Sequence, residues 1–281
     1  MPCATPFIQL FNGETNMSIT SSRIQRLAAT VVLLAGASAA QAKLIQITVT
    51  SESLVAPDSV TFAPLNVAFH NGALDTFNLG QEANAGIASV AELGAGIQWH
   101  ADVDVLQPSA VHGRVGGLLM PGQTAQQTFT IDTNKNSYFS FAGMVVPSND
   151  FFIGNDLANA YQVVDHMGHQ LISGFTLKAS DIWDAGSEVF DPATAAFVIG
   201  GNAPLRSPQH SVVARNFAEL AAFDGMNTAA GYQFHSGLTA NQDIYRLSFQ
   251  VAAVPEPEAY ALLGAGMLTL SVLTRRRRVL G

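Results

Sequence analysis

Three acidic side chains in two short loops have the types and the spacing that could do chemistry in this sequence. Asp150 ends the turn Pro-Ser-Asn-Asp, which follows an apolar run. Asp184 and Glu188 stand four residues apart in the run Trp-Asp-Ala-Gly-Ser-Glu, where Gly186 allows the chain to turn both carboxylates toward one point. Carboxylates gathered on loops repel one another unless a cation lies between them, and calcium takes about six to eight oxygen ligands. The two loops therefore predict a calcium site at the rim of a folded core.

Two further acidic residues flank the second loop. Asp181 and Asp191 could add oxygen ligands, and backbone carbonyl groups and water would complete the coordination shell. Taken singly, each acidic residue also fits a simpler role, in which Asp150 stabilises its turn and the other carboxylates lie in a solvated loop. Three such residues in two loops together favour a cation site over these separate roles.

The histidines give a weaker indication of a metal site. His166 and His169 are three residues apart, a spacing that zinc can use, but the sequence has no His-Glu-x-x-His motif. We interpret this segment as a polar loop. His70 is expected to be a hydrogen-bonded, partly buried residue. The other histidines show no shared pattern: His100, His112, His210 and His235.

No recognisable catalytic motif is present. The sequence lacks Gly-x-Ser-x-Gly, and no serine stands in a familiar order with a histidine and an acid. Paired carboxylates for glycoside hydrolysis stay open as an alternative, because their spacing is spatial rather than sequential. The favoured interpretation is a protein that is not an enzyme. The alternative is a secreted hydrolase that acts on matrix polysaccharide.

The N-terminal residues 1–42 are typical of a secretory signal peptide. Arg23 and Arg26 form its charged part, an apolar stretch covers Leu27–Ala40, and Ala-Gln-Ala offers a cleavage pattern before residue 43. Met17 is a candidate initiator, because the residues before it are polar and unlike the start of a signal. We therefore expect the protein to be exported.

The C-terminal residues 254–281 form a second targeting segment. Val-Pro-Glu-Pro precedes the apolar stretch Ala259–Leu273, and the arginine run Arg275–Arg278 follows. Fifteen residues are short for a full span, which needs about 20, and the arginines would hold the segment at the cytoplasmic face. The arrangement resembles the PEP-CTERM sorting signal of Gram-negative bacteria. That resemblance implies transient anchoring in the inner membrane and processing by an exosortase-type enzyme; an ordinary membrane anchor is the alternative.

Residues 43–253 between these ends are enough for one large domain. They contain no cysteine, because Cys3 is the only one in the chain, so no disulfide can stabilise the domain. Acidic residues outnumber Lys and Arg by more than two to one in this part. Such a surface repels nucleic acid and anionic membranes, so neither is an expected partner.

Short apolar and alternating runs separated by turn residues predict an all-β, antiparallel β-sandwich. One short helix is predicted over Ile87–Leu93, and Trp99, Trp183 and the phenylalanines are expected in the core. The predicted strands are Leu44–Thr50, Asn66–His70, Gly96–Val105, Ala125–Asp132, Tyr138–Val146, Gly174–Ala179, Arg206–Val213 and Ile244–Ala252.

Three stretches of the domain carry a family resemblance. Residues 141–154, F-A-G-M-V-V-P-S-N-D-F-F-I-G, are similar to the pattern S-M-x-x-P-S-P-D-W-F-x-G, and residues 183–188, W-D-A-G-S-E, are similar to W-D-A-G-T-D. Residues 62–94 are similar to the run F-S-P-x, H-N, G-x-x-A-S and A-E-x-G. On these motifs the domain resembles the spondin N-terminal domain, found in extracellular matrix proteins and as single domains in bacteria.

The resemblance implies a C2-like β-sandwich with a calcium ion on loops at one end. Its three acidic ligands fall on Asp150, Asp184 and Glu188. Asn149 stands where the family often has proline and Phe151 where it often has tryptophan, and Glu188 replaces an aspartate with a side chain one methylene longer. The longer side chain changes the geometry that the ligand must adopt.

The resulting functional hypothesis is an exported, non-catalytic, calcium-binding module at the cell surface or in the extracellular matrix. An extracellular glycan or a cell-surface molecule is the expected ligand. A purely structural matrix protein without a ligand is a further alternative.

Overall fold

The computed structural model describes residues 43–254 and 266–267. The predicted signal peptide lies outside the described residues, as does the predicted sorting segment apart from Val254, Gly266 and Met267. In the described part of the chain, no helix has both the length and the apolar character needed to cross a membrane.

The domain is mostly β and forms two antiparallel sheets, as the sequence predicts. Two α-helices, α1 (Ala85–Leu93) and α2 (Ile97–Leu106), lie between strands β3 and β4 in the chain. The strands are β1 (Leu44–Ser53), β2 (Thr61–Phe62), β3 (Leu65–His70), β4 (Val111–Val115), β5 (Thr124–Asp132), β6 (Tyr138–Val146), β7 (Phe151–Gly154), β8 (Gly174–Lys178), β9 (Trp183–Asp184), β10 (Ala214–Arg215) and β11 (Asp243–Ala253). Short 3₁₀ turns cover Ala179–Asp181, Ala203–Leu205 and Ala218–Phe223.

The smaller sheet has the strand order β5-β1-β11-β8. Its long strand β1 alternates in the way that its sequence predicts, with Ile45, Ile47 and Val49 buried and the side chains between them more exposed. Antiparallel pairing sets Ile47 opposite Val251 on one side and opposite Phe129 on the other. This register directs one apolar face of the sheet inward.

The larger sheet has the order β10-β9-β7-β6-β3-β4, with β2 added beside β6. Its central strands β3, β6 and β7 are buried along nearly their whole length, which explains why their sequences are continuous apolar runs without alternation. Both faces of this sheet must therefore be covered.

Aromatic side chains fill the space between the two sheets. Phe139 of the larger sheet meets Phe249 of the smaller one at 5.0 Å between ring centroids, and Phe69 meets Phe129 at 5.6 Å. Edge and tilted contacts of this kind add to the free energy gained by burying apolar surface. These contacts make the pair of sheets a β-sandwich.

The two helices cover the outer face of the larger sheet. Ile87 and Val90 of α1 and Trp99 and Val103 of α2 form a second apolar cluster, which includes Phe152 and Trp183 of the sheet. Asn84 caps the start of α1 by accepting a hydrogen bond from the Ile87 N–H at 2.9 Å. The helix predicted at Ile87–Leu93 is thus confirmed, as is the burial of both tryptophans.

Two of the predicted strands are wrong. Residues 96–105 contain alternating apolar positions, but they form α2, in which Trp99 and Val103 share the buried face while Ile97 and Val105 are 78% and 81% exposed. Residues 206–213 are interrupted by Pro208 and pair with loops rather than with a strand. The other predicted strands are confirmed within a few residues at their ends.

Candidate functional site

The first acidic loop joins β6 to β7 and is buried, rather than lying at the rim as the sequence suggested. Each residue from Pro147 to Asp150 is shielded from solvent. The Ser148 hydroxyl closes the turn, because it donates to the Val145 carbonyl at 2.6 Å and accepts from the Phe151 N–H at 3.1 Å. The turn is therefore held by its own side chain before any ligand is considered.

The second acidic loop begins in β9, the strand next to β7. Pairing of Phe151 with Asp184 and a hydrogen bond from the Ala185 N–H to the Asp150 carbonyl at 3.1 Å bring the two loops side by side. Gly186 has a φ of +63° and donates its N–H to Asp184 Oδ1 at 2.8 Å. The loop thus turns back over Asp150.

Asp150 is the centre of the arrangement. Its Oδ2 accepts hydrogen bonds from the Ser187 N–H at 2.7 Å, the Ser187 hydroxyl at 3.2 Å and the Glu188 N–H at 2.9 Å. The residue is only 2% exposed, and burial, followed by the negative charge of Asp184, raises the pKa of its carboxyl to about 6. No ion pair within residues 43–254 involves this carboxylate.

Asp184 is less buried and is held in place on both oxygens. In addition to the bond to Gly186, its Oδ2 accepts from the Asn216 side-chain amide at 3.3 Å. Its charge acts directly on Asp150. The two aspartates therefore form a close pair of carboxylates on adjacent strands and loops.

Glu188 is also buried, at 2% exposure, but its carboxylate has other neighbours. Oε1 accepts from the Asn149 side-chain amide at 2.9 Å, and Glu92, Asp150 and Arg206 all lie close enough to influence its charge. Burial is the largest cause that raises the pKa of Glu188, to about 7. The side chain lines a cavity of about 130 Å³ beside the ion pair that Arg206 makes with Glu92 at 3.2 Å.

The other residues that sequence reasoning considered are engaged elsewhere. Asp191 Oδ1 accepts from the Ala193 N–H at 2.9 Å, and Asp181 Oδ2 accepts from the Lys178 N–H at 2.8 Å. His169 lies in an exposed loop with Asp165 at 2.8 Å, while the buried His70 forms a hydrogen bond with Ser140 at 2.9 Å. The hydrogen bond of His70 agrees with the prediction made for that residue.

Two of the three predicted carboxylates, those of Asp150 and Asp184, are placed as ligands for a hard divalent cation would be. Asp150 and Asp184 are a buried and a half-buried carboxylate of like charge, which is the situation that a cation relieves. Glu188 is hydrogen-bonded to Asn149, although the charge of Asp150 also acts on it. Within residues 43–254 and 266–267, no three His, Cys, Asp or Glu side chains are grouped so that they could hold a metal ion as they stand.

Asn149 is a site residue whose role the sequence did not reveal. Its amide group donates to Glu188 and to the Asp191 carbonyl at 3.0 Å, and its Oδ1 accepts from the Asp191 N–H at 3.1 Å. The sequence shows Asn149 only as a departure from the spondin pattern, which often has proline at this position. Its place next to Asp150 is the one feature of the sequence that points to a role in the site.

Comparison with protein-family models gave no match, and no curated protein matched the chain. The resemblance to the spondin N-terminal domain therefore depends on the motifs of the sequence.

Replacing Gly186 with alanine should destabilise the domain. A Cβ at this position would lie 2.9 Å from the Ser211 carbonyl carbon and the Val212 oxygen, in a backbone conformation that costs an L-residue energy. We expect a loss of about 2 kcal/mol in the free energy of unfolding, measured by denaturant titration of the full chain. Gly122→Ala is the matched control, since its φ is +74° but no atom lies within 4 Å of a Cβ there. An equal loss in both variants would show that the close approach has no effect.

The metal-free protein should become less stable as the pH rises from about 4 to about 7. The folded state raises the pKa of Asp150 to about 6 and of Glu188 to about 7, so it binds protons that the unfolded chain has already released. The melting temperature in EDTA should therefore be higher at pH 5 than at pH 7.5. The variant with both Asp150→Asn and Glu188→Gln keeps the shapes but cannot titrate, and should show a smaller difference. An unchanged difference would contradict the assignment.

Proposed function

We propose that this chain is an exported, non-catalytic, calcium-stabilised binding module of the spondin type, with a C2-like β-sandwich. The support is the sequence resemblance together with one structural observation. That observation is the buried carboxylate of Asp150, which lies beside Asp184 without a cationic partner among residues 43–254.

Calcium would neutralise these two carboxylates and cross-link the loops that carry them. The Ser187 and Glu188 donors all act on Oδ2 of Asp150, which favours the other oxygen of this carboxylate as the ligand. Asp184 would supply the second charged ligand. Backbone carbonyl groups and water would supply the remaining oxygens.

Glu188 is the third ligand in this proposal and the one with the least support. Its carboxylate accepts from Asn149 and lies near Glu92, whose charge adds to the raised pKa of Glu188. Binding a cation would require the side chain to leave this hydrogen bond. The cost of that step makes Glu188 a weaker contributor to affinity than Asp150.

The proposed location and partners come from the two ends of the sequence. The signal peptide leads to export, an exosortase-type enzyme processes the sorting segment, and the C-terminal segment anchors the chain transiently in the inner membrane. The mature domain then acts at the cell surface or in the extracellular matrix. An extracellular glycan or cell-surface molecule is the proposed ligand.

Calcium should raise the melting temperature of the full-length chain purified in detergent. At about 100 times the dissociation constant a ligand adds roughly 2.7 kcal/mol, which corresponds to a rise of roughly 5–10 °C for a domain of this size. EDTA should reverse the rise and Asp184→Asn should abolish it, while the variant at the exposed Asp58, Asp58→Asn, should respond like the wild type. Differential scanning calorimetry measures all three. A calcium response that persists in Asp184→Asn would contradict the proposed ligand.

A secreted polysaccharide hydrolase is the second candidate, and one cavity favours it. The cavity measures about 380 Å³, a size that suits a small ligand, and Asp156 and Asp181 line it together with Tyr161 and Arg215. Asp181 is already paired with Arg215 at 3.6 Å, which weighs against a catalytic role. If the non-catalytic proposal is right, purified full-length chain releases no reducing sugar from a panel of polysaccharides. Turnover that is lost in Asp156→Asn would overturn it.

A further inference from the structure

Two histidines that are unrelated in sequence meet at the surface between helix α2 and strand β4. His100 lies in the first half of α2 and His112 lies in β4. Their Nδ1 atoms are 3.0 Å apart, and the ring centroids are 4.9 Å apart with an angle of 23° between the planes. The two Nδ1 atoms therefore face each other, and the planes of the two rings are nearly parallel.

A carboxylate fixes the orientation of one of the rings. Asp104, one helical turn after His100, accepts a hydrogen bond from the Nε2–H of His112 at 2.9 Å. This bond keeps Nδ1 of His112 directed at His100. Zinc sites commonly use the same device, in which a carboxylate holds the far nitrogen of a coordinating histidine.

The core holds both histidines in place. Trp99, next to His100, is 1% exposed and belongs to the apolar cluster beneath the helices. His112 is opposite Ala68 in the pairing of β4 with β3, so its position is set by the larger sheet. The two nitrogens are therefore brought together by the packing of the helix layer on the sheet.

We propose that His100 and His112 form a binding site for a divalent transition metal, Cu²⁺ or Zn²⁺, through their Nδ1 atoms. Asp104 is the positioning residue behind His112. Imidazole nitrogen suits these ions, whereas calcium prefers oxygen, so this site is distinct from the acidic loops.

The distance between the nitrogens fits such an ion. Two imidazole nitrogens bound to one zinc ion at about 2.1 Å lie roughly 3.0–3.4 Å from each other. The hydrogen that now joins the two Nδ1 atoms must leave when the metal takes its place, so binding releases one proton. The side chain of His112 is 22% exposed, which allows water to complete the coordination.

The charges that face the pair moderate its affinity. Burial is the largest cause that lowers the pKa of His100, to about 4; the neighbouring His112 and Arg114 act in the same direction, against a smaller opposing effect of Asp104. His100 is therefore a neutral ligand at neutral pH. Arg114 opposes a bound cation, while Asp104 favours it.

Isothermal titration of the full-length chain with CuCl₂ and ZnCl₂, without a polyhistidine tag and with calcium present, tests the site. We expect one bound ion per chain, a loss of affinity of at least tenfold in His112→Gln, and about a tenfold loss in Asp104→Asn, which removes only the positioning carboxylate. Arg114→Gln should bind more tightly than the wild type. His169→Gln is the matched control, because His169 is an exposed histidine with its own aspartate partner.

Electron paramagnetic resonance of the Cu²⁺ form gives an independent readout. Hyperfine splitting from two nitrogen ligands in the wild type, reduced to one in His112→Gln, supports the proposal and does not depend on stability. Equal affinity in the wild type and His112→Gln, or a spectrum without nitrogen ligands, would overturn it. Asp184→Asn should leave the binding unchanged, so this result can fail independently of the calcium proposal.

Discussion

The two acidic loops depend on one interaction, in which Oδ2 of Asp150 accepts hydrogen bonds from the backbone N–H groups of Ser187 and Glu188. These bonds bridge the turn after β6 and the loop after β9. Because backbone N–H groups bound to a carboxylate stabilise its charge, they oppose part of the cost of burying Asp150. The loop after β9 then provides the carbonyl groups of Gly186 and Ser187, which accept from Ser211 and Gln209. A change at Asp150 therefore affects three segments of the chain.

A buried carboxylate with no cationic partner in the described part of the chain is energetically costly for a structural role alone. Two N–H donors and a hydroxyl reduce the cost without removing it, since the pKa of Asp150 is still raised. A neutral asparagine at residue 150 could accept the same bonds at lower cost. The proposed cation would account for the charge, since Ser148 and Asn149 already secure the geometry of the turn.

The sequence predicted the sheets well because long strands such as β1 and β6 carry their own periodicity. It failed at residues 96–105, where Trp99 and Val103 satisfy strand and helix spacing alike and packing on the larger sheet decides between them. The family resemblance predicts that Asp150 and Asp184 lie in one site. The sequence could not show that Asp150 is buried or that Glu188 accepts a hydrogen bond from Asn149. Those features depend on which loops lie side by side. His100 and His112 cannot be connected from sequence, because the alternation of residues 96–105 predicts a strand where the structure has the helix α2.

Both proposed ion sites would connect parts of the fold that backbone pairing leaves weakly joined. The acidic loops link the strand β7 to the segment after β9. The histidine pair links helix α2 to β4, and Trp99 holds the same helix on the sheet by packing in the apolar cluster. A domain whose residues 43–254 contain no cysteine cannot make these links with disulfides. Bound ions can cross-link such a domain in place of disulfides. An ion that binds the folded state more tightly than the unfolded chain raises the free energy of unfolding. The placement of acidic and imidazole ligands at separate positions then follows from their chemistry, since calcium and the transition metals select different atoms.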